Sequence, residues 1–120
     1  MATIFCKSFT DEILTLYKNK NLYISLVTND AEIGSSIINR SEVNEFIIPD
    51  TEKTIIQGDI EGTELTASNA VWEDATFDVR YAIVYDDDGL IIFFIDFESI
   101  KSINNSNFEL DFSDGFIKIG

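Results

Sequence analysis

The sequence predicts a mainly β protein, an antiparallel β-sandwich with one short N-terminal helix, and three observations carry that expectation. From Leu22 onward, short runs rich in β-branched and aromatic residues place apolar side chains two apart. Turn signals separate the runs, above all Asp88-Gly89 and Asp114-Gly115, where glycine accepts the positive φ of a tight hairpin. Only one stretch near the N-terminus repeats with the helical period.

That stretch predicts a helix over about residues 8–18. Phe9, Ile13, Leu16 and Tyr17 recur at the spacing of one helical face. Ser8 and Asp11 have the spacing of a capping box, and Asn19-Lys20-Asn21 ends the element. Residues 21–28 (NLYISLVT) read as the first strand, with Leu22, Ile24 and Leu26 on one face. A polar stretch from Asn29 to Asn44 follows, interrupted by Ile33, Ile37, Ile38 and Val43. It reads as a long loop or arm that orders against a neighbour, so its deletion from Ala31 to Asn44 is expected to leave the fold intact. Residues 45–48 suggest a short edge strand that Pro49 stops. Residues 54–57 and 63–66 suggest two more strands around Gly58 and Gly62.

In the C-terminal half, residues 78–85 (DVRYAIVY) put Val79, Tyr81, Ile83 and Tyr85 on one face. The run Asp86-Asp87-Asp88-Gly89 supplies the hairpin turn. Residues 90–97 (LIIFFIDF) are apolar on both faces and so predict a central strand. Asn104-Asn105 reads as a turn, after which Phe108, Leu110 and Phe112 alternate with polar residues. A last strand closes the chain over residues 116–119. Many short strands with regular turns indicate a sandwich of jelly-roll or Ig-like type, in one domain over residues 1–120.

Charge narrows the function. The 120 residues carry 8 Lys plus Arg against 22 Asp plus Glu, a formal net charge of −14. Phosphate backbones and anionic lipids are repelled by such a surface, so neither a nucleic acid nor a membrane is an expected partner. No stretch is apolar for long enough to span a bilayer, and the N-terminus lacks the pattern of a signal peptide. The chain has no histidine, which removes the Ser-His-Asp triad and the commonest general base and zinc ligand. Its single cysteine, Cys6, excludes an internal disulfide and reads as a small buried hydrophobe.

Three features remain as candidate sites. The acids Asp86, Asp87 and Asp88 are hard oxygen ligands, but their spacing fails the EF-hand pattern and a solvated hairpin tip explains them better. Asp96 and Glu98 form a carboxylate pair of the kind glycosidases use, whereas a pairing of Asp96 with Arg80 or Lys101 is the simpler reading. Trp72, among Asn69, Glu73 and Asp74, is either a lid on the core or an interface anchor. No catalytic residue, cofactor or metal ligand follows from these patterns, and an enzyme is not expected.

The C-terminal half carries a resemblance. It reads AVWEDATF over 70–77, AIVYDD over 82–87 and LIIFFIDF over 90–97, then Phe108 to Phe112, Asp114-Gly115 and residues 117–119. This order resembles the small, acidic β-sandwich virion proteins of tailed bacteriophages, which include capsid decoration, or cement, proteins. The likeness covers residues 68–119 and, more loosely, 8–28; Phe112 stands where tryptophan is expected, and residues 31–66 have no counterpart in it. It implies a structural protein of the virion with no catalytic residues, made in the host cytoplasm and bound to the outer capsid surface. The implied partners are the major capsid protein or another virion protein and further copies of the chain, a trimer among them. A tail, baseplate or head-fibre component is the alternative within that class, and a carbohydrate- or receptor-binding module the alternative outside it. The residues expected at the interface are Ile33, Ile37, Ile38, Arg40 and Trp72.

Overall fold

The alternating C-terminal runs fold into one long hairpin around which everything else is arranged. The computed structural model describes residues 4–28, 31 and 33–118. In chain order the elements are α1 (Lys7–Lys18), β1 (Tyr23–Val27), a 3-10 helix (Arg40–Phe46), β2 (Lys53–Thr54), β3 (Gln57–Glu61), β4 (Glu64–Ala67), β5 (Ala70–Tyr85), β6 (Ile91–Leu110) and β7 (Ile117–Lys118). The strands form a four-stranded sheet in the order β2-β1-β5-β6 and a three-stranded sheet in the order β3-β4-β7, every pairing antiparallel. The mainly β sandwich with one N-terminal helix is therefore the fold. Asn29, Asp30 and Glu32 of the expected loop, and Ile119 of the expected last strand, lie outside the described residues.

Between the sheets lies the larger core. Leu22, Ile24 and Leu26 meet Val79, Ala82 and Val84 on one face of the large sheet, while Trp72, Phe108, Phe112 and Phe116 fill its far end. The rings pack edge to face as their quadrupoles prefer: Phe77 and Phe97 each approach Phe108 at 6.0 and 5.6 Å, and Phe112 meets Phe116 at 5.0 Å. At about 1.5–3 kcal/mol for each fully buried large side chain, this cluster is the chief source of stability.

Several expectations need correction. Helix α1 starts at Lys7 with Cys6 as N-cap and no side-chain cap, so Ser8 lies inside the helix and the Ser8–Asp11 box does not form; Asp11 pairs with Lys7 instead. The helix turns Thr10 and Leu14 inward, leaving Phe9 and Leu16 exposed. That rotation sets the helix end against β3, where Gln57 Nε2 donates to the carbonyls of Tyr17 and Lys20 and satisfies acceptors that a helix terminus leaves bare. Cys6 is exposed rather than buried.

Asn104 and Asn105 do not turn the chain. Asn105 adopts a left-handed φ of 48° and donates its N–H to Thr76 Oγ1, a bulge through which β6 continues to Leu110. Most consequentially, the apolar start of β6 is an edge strand and not a central one. Its two faces are nonetheless covered, Ile92, Phe93 and Ile95 by the main core and Ile91 and Phe94 by a second cluster. Among the described residues no helix is long and apolar enough to cross a membrane.

Candidate interaction surface

The second cluster is made by the segment expected to be an arm. Ala31 and Val43 are buried against Val27, Tyr81, Ile83 and Tyr85 on the outer face of the large sheet, with Ile33, Ile37, Phe46 and Ile47 packed around them. The described part of the 29–44 segment is a cover over the smaller of the two clusters, so its removal would uncover Ile83 and Tyr81, and the expectation of a dispensable arm is wrong. Apolar residues in a segment without strand or α-helical period still seek burial, and a sheet face with Tyr81 and Ile83 on it needs a cover.

Polar bonds fix this cover to the hairpin turn. Asn39 caps the 3-10 helix: its Oδ1 accepts from Ser41 N–H at 3.0 Å, and Glu42 Oε2 accepts from the N–H of Asn39 at 2.7 Å and of Ile38 at 2.9 Å. Those two donors hold the Glu42 carboxyl below its ordinary pKa. A β-bridge joins Asn39 to Leu90, Ile91 N–H donates to Ile38 O, and Arg40 N–H donates to Gly89 O at 2.8 Å. Gly89 is required there, because its φ is +78° and a Cβ would lie 3.0 Å from Asn39 Oδ1.

Beneath the cover's edge sits a polar aromatic group. The register Tyr23↔Tyr85 stacks the two rings at 6.0 Å, and the Arg40 guanidinium lies 4.9 Å from the Tyr85 ring centre. Tyr85 OH bonds to Ser25 Oγ at 2.7 Å and donates to Glu52; Tyr23 OH donates to Asp87 at 2.6 Å. Burial, with the Glu52 carboxylate beside it, pushes the Tyr85 phenol up to about 12.

The acidic turn is mostly structural. Asp86 is buried, which alone would raise its carboxyl, but the N–H groups of Leu90 and Asp88 and the Lys20 ammonium outweigh burial and hold it below the ordinary value. Asp96 is clamped by Arg80 at 2.9 Å, which lowers its carboxyl, and its Oδ1 also accepts from Glu98 N–H. Among the described residues no group of three or more acids, cysteines or histidines is arranged to hold a metal ion.

The expected interface residues divide. Ile33, Ile37 and Arg40 are half-buried in the cover; Ile38, 66% exposed, reaches its surface; Trp72 does not join them. Trp72 lies 5% exposed in the main core, where Nε1 donates to Thr51 O at 2.7 Å, so it is the lid and not the anchor. Sequence reasoning missed Leu90, 43% exposed, which the Asn39 bridge brings beside Ile38. Together with Tyr17, Ile37 and Ile92 they line a shallow cleft of about 330 Å³. A second apolar strip, Phe5 stacked on Phe9 at 5.1 Å and then Leu16, runs along the outer side of α1. Open and shallow, with exposed Ile38 and Leu90 beside Lys20 and Asp86, the Ile38–Leu90 surface is of mixed apolar and charged character and is suited to contact with another protein. No protein family, curated protein or solved structure matches the chain.

Proposed function

We propose that this chain is a structural protein of a tailed-phage virion, a capsid decoration protein that binds the outer shell through the Ile38–Leu90 surface. The observation that carries the reading is a solvent-facing apolar pair held in place by backbone bonds between the cover and the hairpin, in a chain of net charge −14. Pre-organised apolar contacts of this size bind weakly one at a time and gain from repetition, which suits a lattice of identical sites. The strong negative charge supports a place outside the shell, away from packaged DNA. The resemblance of residues 68–119 to phage virion proteins supports the same class.

Electron cryo-microscopy of the virion that encodes the chain tests this reading. Density for the sandwich is expected at capsid lattice sites, with Ile38 and Leu90 against the shell. Purified Ile38→Glu/Leu90→Glu protein should fold normally and bind shells at least about tenfold more weakly, a loss near 1.4 kcal/mol. Density confined to the tail or baseplate would move the chain to that location, and no copy in the particle would overturn the proposal.

A further inference from the structure

The start of β6 combines two properties that seldom occur together. Residues 90–95 carry no charge and are apolar on both faces, the composition of a strand with neighbours on either side, yet the strand forms the edge of its sheet. Each of Ile92, Phe93, Phe94 and Ile95 stays half-buried although both faces of the sheet above and below them are covered. Among the described residues, what they lack is an outer strand.

That open edge is closed at both ends. Ile38 and Asn39 occupy it at Leu90 and Ile91. Beyond Asp96 the strand bulges, because residues 97–100 intervene on β6 where Asp96 pairs with Tyr81 and Lys101 with Val79, and Glu98 there has a left-handed φ of 66°. Ile92 is itself bulged, because it intervenes where Ile91 pairs with Tyr85 and Phe93 with Val84, so the regular uncharged window is residues 93–95, about 10 Å long, with Phe94 at its centre.

We infer that this window is the pairing edge for a second copy of the chain, joined antiparallel about a two-fold axis through Phe94. Such an axis sets Phe94 opposite Phe94 of the second copy and Phe93 opposite its Ile95, apolar against apolar on both faces. The window is flanked by the bulged Ile92 and by Asp96, whose charge Arg80 already neutralises. In a chain of net charge −14, this uncharged window is where two copies approach at least electrostatic cost. The closed ends leave one register, so pairing stops at a dimer rather than growing into a fibre.

Sedimentation of the full chain up to about 1 mM, combined with amide hydrogen exchange, tests the inference. A reversible monomer–dimer equilibrium is expected, strengthened as salt rises from about 0.02 to about 0.5 M because screening reduces the repulsion between like-charged copies. Exchange at residues 93–95 should slow as concentration rises. Ile95→Lys should weaken association at least about tenfold while circular dichroism is unchanged. The wild-type exchange pattern decides the matter if that variant fails to fold. A chain that stays monomeric at both salt levels, a trimer, or a dimer without protection at 93–95 overturns it. The capsid-binding variants at Ile38 and Leu90 lie outside the window, so each proposal fails or stands alone.

Discussion

The two faces of the four-stranded sheet are covered by different means. Toward the second sheet, side chains set by strand alternation meet a regular layer, and cohesion comes from apolar area around Leu26, Val84 and Phe108. The other face is covered by irregular chain over Tyr81 and Ile83, where no ladder satisfies the backbone. There the N–H groups of Ile38, Asn39 and Ser41 are satisfied by side chains of Glu42 and Asn39, and that of Arg40 by Gly89 O. A regular cover draws its strength from packing, and an irregular one depends in addition on a few polar bonds. Single substitutions should therefore act through lost volume on the first face and through lost bonds on the second.

The largest effect is expected at Trp72. Replacing it by alanine removes a ring packed 5.8 Å from Phe108 and leaves the Thr51 carbonyl without its donor. The cost should be about 3–5 kcal/mol in chemical denaturation followed by circular dichroism. A loss below about 1 kcal/mol would mean that Trp72 is not a core residue and that the regular face is weaker than its packing indicates.

Tyr85 separates the two faces by pH. Its phenol pKa is raised from 10.0 to about 12 in the fold, so the stability its neutral form contributes is complete below pH 10 and is lost as pH rises from 10 towards 12. Tyr85→Phe should cost about 1–3 kcal/mol at neutral pH, because the buried Ser25 hydroxyl loses its partner. The variant should also show a shallower alkaline loss of stability than the parent. An unchanged alkaline slope would place the titrating phenol elsewhere.

The same division explains what was legible in the sequence. Alternation over residues 78–85 and the Asp-Gly turn fixed the centre of the hairpin, because period two and a positive-φ turn are local signals. Trp72 could have been placed inside by following that alternation back, but the left-handed Asp74 and the register shift between Trp72 and Ala75 break the count. The edge position of β6 was hidden because an apolar strand records how many faces are covered, not how many neighbours it has. The cover carried no period at all: Ile33, Ile37 and Val43 look like stray apolar residues until Tyr81 and Ile83 are known to need them. For the candidate surface, Ile38 and Arg40 stood out as apolar and basic residues in a polar stretch, whereas Leu90 required the Asn39 bridge, a contact across 51 residues.

The smallest effect is expected at Asn39. Its side chain accepts from Ser41 N–H and donates to Asp88 O at 3.1 Å, so one residue both caps the 3-10 helix and ties the cover to the turn. Asn39→Ala should cost about 1 kcal/mol, the usual value of an N-cap, with the main core unaltered. The loss should be local: amide exchange should quicken at Ser41 and at Ile91, whose N–H is held by Ile38 O, and stay unchanged at Val84. Uniformly faster exchange across both faces would mean that the cover and the main core open as one unit, and that the polar bonds stabilise the whole sandwich rather than its second face alone.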